Sequence, residues 1–362
     1  MAKIIIIGGG FGGLSFLQKA RKSKNDFILI DKTNHHLFQP LLYQVATAVL
    51  SPADITVPLR NLFKNDKNVK TILSEVKEIN REKKEITLDN AEVISYDKLI
   101  ISAGSSYSFF GKNEWSKFAK GLKVINDALD IREKILKAFE KAENEKDERI
   151  RKKYLNFVII GGGPTGVELA GSIAEIAYKN MTKEFRNFSS TDANIYLLEA
   201  GDRILPSYSE SLAKKSNKFL NDLGVKVKTK ERVENIEEMK VTTNKQVIYA
   251  DNIIWAAGDE ASSLIKYLDT ETDNEGRAIV NLDCSIKEDN EVYVIGDAAN
   301  FKTESGESLP GIAPVAIQHG RYVAHNIKKN IEKEKRKPFR YSDKGTMATI
   351  AVSYTHLRAH ET

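Results

Sequence analysis

Two stretches of the chain share one pattern of apolar and polar positions: an apolar strand, a glycine-rich turn, a helix, a second apolar strand and an acidic residue. In the first stretch the predicted elements are a strand at Lys3–Ile7, a helix at Leu14–Lys22 and a strand at Asp26–Ile30. In the second they are a strand at Asn156–Ile160, a helix at Val167–Tyr178 and a strand at Ala193–Leu198. Such runs are typical of βαβ units with strands buried in a parallel sheet. The pattern predicts an α/β fold with two Rossmann-like dinucleotide-binding domains.

The remaining apolar positions predict further strands and one long helix. From Asp127 to Tyr154, apolar residues recur at helical spacing and the other faces are charged, which predicts a single polar helix. Short apolar runs predict strands at Glu85–Leu88, Lys98–Ile101, Val225–Lys228, Lys240–Thr243, Val247–Tyr249, Asn252–Ala256 and Glu291–Ile295. We interpret the last strand as the return of the chain to its first domain, which makes the second domain an insertion in the first.

The domain boundaries follow from this order of elements. The first domain is predicted to comprise residues 1–112 and 283–330, and the inserted domain residues 113–282. Two segments of small residues, Ile101–Gly104 and Trp255–Gly258, are interpreted as the crossings between the domains. We expect Ala103, Gly104 and Gly258 in these crossings to be nucleotide-binding positions.

The first glycine turn carries the spacing of a dinucleotide-binding fingerprint. Gly8 suits the tight turn, Gly10 allows the backbone to approach a pyrophosphate, and Gly13 allows the helix to pack closely on the strand, with Gly12 between them. The phosphates would meet backbone N–H groups at the helix N-terminus. Asp31 follows the next strand and is predicted to accept hydrogen bonds from ribose hydroxyls.

The second turn repeats the fingerprint with Gly161, Gly163 and Gly166, and Glu199 takes the position of the acidic residue. A carboxylate there binds a ribose 2′-hydroxyl and repels a 2′-phosphate, so it favours NADH over NADPH. Arg203 lies four residues later and could weaken that preference. Glu168 lies in the first turns of the following helix and could point towards the nicotinamide or face solvent.

Gly296 and Asp297 end the predicted strand at Glu291–Ile295. In flavoproteins with two dinucleotide-binding domains, FAD occupies the N-terminal one and NAD(P)H the inserted one. A carboxylate at Asp297 would then bind the ribityl chain of the flavin, although an Asp at this place also suits a helix N-cap.

The composition of the 362 residues narrows the class of protein. With 41% hydrophobic and 29% charged residues the chain is typical of globular proteins. The net charge of the chain is +5, and residues 326–340 alone carry an excess of five positive charges. Such a segment is typical of a solvated helix face or of a contact to anionic lipid. We expect no nucleic-acid partner, because the positive charge is small and local.

Cys284 is the single cysteine, so it cannot form an intramolecular disulfide, a redox dithiol or a thiolate metal cluster. We therefore expect a reducing compartment and no metal site. The N-terminus lacks the pattern of a signal peptide, and nowhere do about 18 uninterrupted apolar residues predict a membrane-spanning helix.

The segment Asn34–Thr47, with the sequence NHHLFQPLLYQVAT, resembles the signature loop of type II NADH dehydrogenases. Further matches to this family lie at 167–171, 294–299, 316–318 and 344–350, so the resemblance runs in order from the N-terminus to about residue 350. It implies a single-subunit, FAD-containing NADH:quinone oxidoreductase that does not pump protons. NADH would deliver a hydride to FAD, and ubiquinone or menaquinone would take two electrons from it.

The resemblance also implies roles for individual residues. Glu168 would lie beside the nicotinamide, Gln318 near the quinone head group and flavin ring, and Lys344 near the pyrimidine edge of the flavin. Gln44 and Ala316 join the predicted cofactor-binding residues. His319 could donate a proton to the quinone, or it could be an exposed helical histidine.

The sequence departs from the family in the quinone stretch and at its end. Pro314 stands where the family often has a first glutamine, so only Gln318 is carried over. The family continues with amphipathic helices that dock on the cytoplasmic face of the inner (plasma) membrane. We expect residues 331–350 to be the start of that peripheral membrane-anchoring region and 351–362 to be a non-native tail on a truncated chain. The resemblance leaves a homodimer open.

Three other classes of protein share part of this sequence pattern. A sulfide:quinone oxidoreductase requires paired redox cysteines, which the single Cys284 excludes. A soluble ferredoxin or rubredoxin reductase has similar glycine fingerprints but does not account for the loop at Phe38–Thr47. A NADH-sensing flavoprotein, in which electron transfer is incidental, remains the alternative outside enzymes.

Overall fold

A computed structural model describes residues 1–351 and 356–359, with side chains for 1–345 and 347–351. The helices are α1 Phe11–Ala20, α2 Leu42–Ala46, α3 Leu59–Phe63, α4 Ile125–Asn144, α5 Glu148–Leu155, α6 Pro164–Glu175, α7 Glu210–Asp222 and α8 Ala313–Lys328. The strands are β1 Lys3–Ile7, β2 Asp26–Asp31, β3 His35–Leu37, β4 Thr56–Pro58, β5 Val69–Leu73, β6 Val76–Asn80, β7 Glu85–Leu88, β8 Val93–Ser95, β9 Lys98–Ile101, β10 Ser105–Tyr107, β11 Ala119–Lys120, β12 Asn156–Ile160, β13 Asn194–Leu198, β14 Lys226–Lys228, β15 Val233–Glu237, β16 Lys240–Thr243, β17 Val247–Tyr249, β18 Asn252–Trp255, β19 Asp259–Ala261, β20 Ala278–Val280, β21 Val292–Val294, β22 Ala299–Phe301, β23 Thr346–Thr349 and β24 His356–Ala359.

The first compact unit comprises residues 1–37, 56–106 and 259–343. Its main sheet is parallel, in the strand order β21-β9-β1-β2-β5. Ile4, Ile5 and Ile6 of β1 are completely buried, as expected for a central strand covered on both faces. Parallel pairing brings the carboxyl ends of β1, β2, β9 and β21 to one edge of the sheet, where ligands bind in open α/β sheets.

Helices α1 and α8 pack closely in this unit. A Cβ atom on Gly320 of α8 would overlap the backbone carbonyl of Gly12 in α1, so the close approach of the two helices depends on a glycine there. The core beneath them is apolar and includes Phe16, Phe27 and Tyr293, all almost completely buried.

The second compact unit comprises residues 38–55, 107–258 and the chain from 344 onward. Its main sheet is also parallel, in the order β14-β13-β12-β18-β11, and β15, β16 and β17 form a separate antiparallel sheet. An aromatic cluster of Phe109, Trp115 and Trp255 packs in its core, with ring centroids 5.0 and 5.7 Å from that of Trp255. The two parallel sheets confirm the predicted α/β class with two Rossmann-like units.

The predicted helix from Asp127 to Tyr154 is wrong as a single element. The structure has two helices, α4 and α5, separated at residues 145–147. Asp147 has an extended backbone, and its carboxylate accepts a hydrogen bond from the Arg149 N–H at 2.8 Å. Asp147 therefore acts as the N-cap of a new helix.

The compact units differ from the predicted domain boundaries at four segments. Residues 107–112 lie in the second unit and not in the first. Residues 259–282 lie in the first unit, because β20 pairs with β22 and Ile265 and Leu268 enter its core. Residues 38–55 lie in the second unit, where α2 packs on α4 and α6. The predicted C-terminal region is divided at residue 343, because Arg336 and Phe339 are anchored in the first unit.

None of the helices in the described residues combines the length and apolar character that crossing a bilayer requires.

Candidate functional site

The turn between β1 and α1 needs two of its glycines for its own packing. Gly8 has a φ of +101°, and a Cβ there would overlap the carbonyl of Ser102 at the end of β9. A Cβ on Gly13 would overlap the Gly8 carbonyl, and the Gly13 N–H donates to Ser102 Oγ at 2.8 Å. Gly12 also faces Ser102, whose hydroxyl occupies the position that a side chain would take. Ser102 is a supporting residue that the fingerprint itself does not reveal.

Gly10 is different, because nothing in the protein requires a glycine there. Its φ is −70°, and no atom lies within 4 Å of the position that its Cβ would occupy. Gly163 in the second unit has the same properties, with a φ of −72° and no atom within 4 Å. Both residues precede a helix whose N-terminal N–H groups favour an anion. The space that these two glycines keep open therefore fits the phosphates of a ligand in each unit.

Asp31 is held rigidly at the end of β2. Its Oδ2 accepts the Gly9 N–H at 2.6 Å, and its Oδ1 accepts the N–H and hydroxyl of Thr33 at 2.6 and 2.7 Å. A carboxylate fixed in this way beside the glycine turn can accept from a ribose hydroxyl. His36, in the signature loop, lies 2.9 Å from the Gly9 carbonyl through Nδ1, a contact that the fingerprint spacing does not reveal.

A second turn of the first unit lies at the same edge of the sheet. Gly296 and Asp297 follow β21, and Ser105 donates to Asp297 Oδ2 at 3.5 Å. Ala316 of α8 lies close to Gly296, since a Cβ added to that glycine would be 3.1 Å from the Ala316 methyl group. Ala103 and Gly104 follow β9, so the structure brings these predicted residues to the edge that carries Asp31.

The glycine turn of the second unit repeats this geometry. Gly161 has a φ of +112°, and a Cβ on it would lie 2.5 Å from the Ala256 carbonyl oxygen after β18. A Cβ on Gly166 would overlap the Gly161 carbonyl. Gly258, in the crossing after β18, leaves room for the ring of Phe110, which a Cβ would approach to 2.5 Å.

Glu199 is fixed at the end of β13 as Asp31 is at the end of β2. Its Oε2 accepts the Gly162 N–H at 2.7 Å and its Oε1 accepts the Gly201 N–H at 2.6 Å. Arg203 donates to the Pro206 carbonyl at 2.9 Å, so its guanidinium is engaged by the loop that follows. The arrangement presents a carboxylate for a ribose 2′-hydroxyl.

Glu168 of α6 lies in an apolar setting that changes its protonation. Burial raises the pKa of Glu168 from its ordinary value of 4.5 to about 8. The Thr349 N–H donates to its Oε1 at 3.3 Å, and Ala351 lies against Gly171 one turn further along α6. The solvent-facing alternative for Glu168 is therefore wrong, since the segment from 349 to 351 lies against its helix.

One residue of the signature loop, Tyr43, lies close to this carboxyl group. Tyr43 is 3% exposed, and Gln44 donates to its hydroxyl at 2.9 Å. Burial raises the pKa of Tyr43, and the Glu168 charge raises it further. The structure thus adds Tyr43 and Thr349 to the surroundings of Glu168, whereas Gln44 contacts Tyr43 through its side-chain amide.

Replacing Glu168 by glutamine should remove the part of the pH dependence of the unfolding free energy that comes from this side chain. Between about pH 5 and 8 the folded state holds a proton on Glu168 that the unfolded state has lost, so stability falls as pH rises and levels off above about pH 8. At about 1.4 kcal/mol per unit, reduced for partial exposure, we expect a loss of about 2–4 kcal/mol across this window. Urea unfolding followed by tryptophan fluorescence tests this, because both tryptophans, Trp115 and Trp255, lie in the same unit as Glu168.

The matched control for that measurement is Glu148→Gln, at an exposed position in the same unit. This variant should keep the wild-type slope of stability against pH, whereas Glu168→Gln should be flatter. Equal slopes in the wild type and Glu168→Gln would show that Glu168 is ionised at neutral pH.

Gln318 is not a free surface amide. Its Nε2 donates to the Ser342 carbonyl at 2.9 Å, and its Oε1 accepts the Ser342 N–H at 3.0 Å. The side chain therefore ties α8 to the segment before residue 344 within the first unit. Lys344 itself is exposed.

His319 is not an exposed helical histidine. It is 1% exposed and packs against the rings of Phe301 and Phe339, with centroid distances of 5.3 and 4.6 Å. Burial lowers the pKa of His319 to about 4, so the ring is neutral at physiological pH. Neutrality and burial also argue against the other alternative, a role as a proton donor to quinone. Cys284 is also completely buried.

Each unit thus has a dinucleotide cradle, by which we mean a glycine turn at a helix N-terminus with a fixed carboxylate beside it. Two such cradles in one chain are typical of enzymes that bind two dinucleotides. Residues 2–320 match the family described as pyridine nucleotide-disulphide oxidoreductase. The chain belongs to that class of oxidoreductases.

Similarity to individual proteins identifies the family within this class of oxidoreductases. A type II NADH:quinone oxidoreductase of Mycobacterium tuberculosis, NdhA, is 38% identical over 96% of this chain and 77% of that protein. The type II NADH:quinone oxidoreductase of Staphylococcus haemolyticus is 29% identical over 97% of this chain and 88% of that protein. The structure of NDH2 from Plasmodium falciparum in complex with NADH has the same fold, with a TM-score of 0.90, 22% identity and coverage of 99% of this chain and 92% of that one. The chain belongs to the type II NADH:quinone oxidoreductases, which confirms the resemblance seen in the sequence.

Proposed function

We propose that this chain oxidises NADH and reduces a membrane quinone, ubiquinone or menaquinone, without pumping protons. The observation that carries the proposal is the pair of open positions at Gly10 and Gly163, each at the N-terminus of a helix in its own unit. The proposal assigns FAD to the first unit and NADH to the second. Bound FAD would supply the redox chemistry: a hydride from NADH would reduce it, and its two electrons would pass to the quinone, which takes up two protons to become the quinol.

The first unit supplies the groups that hold FAD. The N-terminus of α1 binds the pyrophosphate in the space that Gly10 leaves, and Asp31 accepts from the ribose. Asp297 accepts from the ribityl hydroxyls, a role supported by its position at the carboxyl edge of the same sheet. The other proposed FAD contacts in this unit are Gly8, Gly12, Gly13, Ala103, Gly104, Gly296 and Ala316. Gln44, which belongs to the second unit, remains a predicted cofactor-binding residue.

The second unit holds NADH by the same means. The N-terminus of α6 binds the pyrophosphate beside Gly163, and Glu199 binds the adenosine ribose and repels a 2′-phosphate. Gly161, Gly166 and Gly258 give the backbone the close approach that this site needs. Glu168 lies beside the nicotinamide in this proposal, and its raised pKa, which keeps it protonated at neutral pH, means that it adds no negative charge there.

Gln318 is proposed to lie near the quinone head group and the flavin ring, and Lys344 near the pyrimidine edge of the flavin. The hydrogen bonds between Gln318 and Ser342 hold α8 and the segment before Lys344 together, which supports a positioning role for Gln318. The exposed Lys344 supplies positive charge near the pyrimidine edge of FAD.

We further propose that the enzyme is a peripheral protein of the cytoplasmic face of the membrane. Support comes from Lys328 at the end of α8 and from Lys329, Lys333 and Lys337 in the segment that follows, all of which are exposed. Exposed lysines attract anionic lipid at about 1 kcal/mol each near the surface. A homodimer remains a further prediction.

Steady-state turnover tests the proposal. NADH oxidation should be slow alone, fast with menadione, and fast with ubiquinone or menaquinone in anionic vesicles at low salt. High salt should reduce the vesicle-supported rate and leave the menadione-supported rate unchanged, because salt screens lysine–lipid attraction. Rapid reduction of ferredoxin without reduction of quinone would favour the ferredoxin reductase alternative. A stable NADH complex that quinones discharge slowly would favour the sensor.

A further inference from the structure

A buried histidine in α8 has no role in the proposed reaction. His319 is 1% exposed, and its Nε2 is buried without a hydrogen-bond partner in the described residues. Burying a polar ring nitrogen in this state is costly, and such groups are rare in folded proteins. Its ring packs against those of Phe301 and Phe339.

The other ring nitrogen has a specific partner. The backbone N–H of Gly296 donates to His319 Nδ1 at 3.4 Å. An accepting Nδ1 requires the neutral tautomer with its proton on Nε2, which agrees with the burial of the ring. His319 therefore satisfies a buried backbone donor at the start of the turn that contains Asp297.

The same helix also limits this turn sterically. Ala316 lies three residues before His319 in α8 and is the nearest side chain to the position that a Cβ on Gly296 would take, at 3.1 Å. Residues three apart share one face of a helix. One face of α8 thus presents a methyl group and an acceptor nitrogen to a single glycine.

We propose that His319 is a positioning residue for FAD, which acts by fixing the turn at Gly296 and thereby the carboxylate of Asp297. The inference rests on the proposed binding of FAD in the first unit. His319 accepts the Gly296 N–H, Gly296 sets the direction of the chain after β21, and Asp297 then faces the ribityl hydroxyls.

Three substitutions separate this role from packing. His319→Asn places an amide oxygen near the position of Nδ1 and keeps the acceptor. His319→Gln reaches the position of Nε2 instead, and His319→Leu fills a similar volume without an acceptor. FAD affinity is measured by reconstituting the apoprotein and following flavin fluorescence, and apoprotein stability by thermal unfolding. His325→Leu, at an exposed position of the same helix, is the control.

We expect the Kd for FAD to rise about tenfold in His319→Leu and His319→Gln, and to stay within about threefold of wild type in His319→Asn. The FAD titrations are run at a temperature where every variant is fully folded, because His319→Leu and His319→Gln leave the Gly296 N–H unpaired and should also lose stability. Wild-type affinity in both the Leu and Gln variants, or an equal loss in the Asn variant, would overturn the role. If His319→Leu does not fold, the Asn and Gln variants decide the question. Failure of the wild type itself to bind FAD would instead contradict the proposed function.

Discussion

Replacing Gly163 by alanine will raise the Kd for NADH by about 10- to 100-fold while the FAD content of the protein stays unchanged. The methyl group meets no protein atom within 4 Å, and the backbone, at φ −72°, accepts any residue, so the fold of the second unit is not strained. The methyl group instead occupies space that the proposed pyrophosphate needs, and overpacking of this kind costs about 1–3 kcal/mol. Quenching of Trp115 and Trp255 fluorescence by NADH measures the change.

Gly10→Ala makes the same change in the first unit and is therefore the matched control. It should weaken FAD binding by a similar factor and leave NADH affinity unchanged. Of the glycines whose surroundings are described, only Gly10 and Gly163 combine a negative φ with no neighbour within 4 Å. Unchanged affinity for both nucleotides in both variants would mean that these spaces hold no ligand.

Replacing Glu199 by glutamine will reduce the preference for NADH over NADPH by about 10- to 100-fold. A negative charge about 4 Å from a 2′-phosphate costs about 1–4 kcal/mol, depending on the local dielectric. Glutamine removes the charge but keeps one oxygen to accept from Gly162 or Gly201. The ratio of kcat/KM for the two nucleotides, measured with the same quinone, gives the answer.

The control for charge elsewhere in the unit is Glu210→Gln, on the exposed first turn of α7. It should leave the nucleotide preference unchanged. A Glu199→Gln protein that retains the wild-type ratio would show that the carboxylate does not face the 2′ position.

The strands and glycine turns of the site can be predicted from the sequence, because residues that are neighbours along the chain determine them. The strands at Lys3–Ile7 and Asn156–Ile160 have the predicted bounds, since continuous isoleucine, valine and phenylalanine indicate a buried parallel strand. Helix α1 begins at Phe11, three residues before its predicted start, because Gly12 and Gly13 belong to the helix itself. The helix break near Asp147 is harder to predict, because Glu, Lys and Asp all occur inside helices as well.

The surroundings of Glu168 and His319 depend on distant parts of the chain. Thr349, whose N–H contacts Glu168, lies 181 residues away in sequence. The ring of Phe339, which covers His319, belongs to a basic segment whose composition suggests solvent exposure. Helical periodicity identifies which residues share a face, but it does not identify what later segment packs on that face.

The most direct test of the account is an anaerobic redox titration of the purified protein followed by visible absorbance. We predict the yellow spectrum of bound FAD, its bleaching by one equivalent of NADH, and its full recovery on addition of one equivalent of menadione. A protein that is colourless, and that stays colourless after incubation with FAD, would contradict the assignment of two dinucleotide cradles to FAD and NADH.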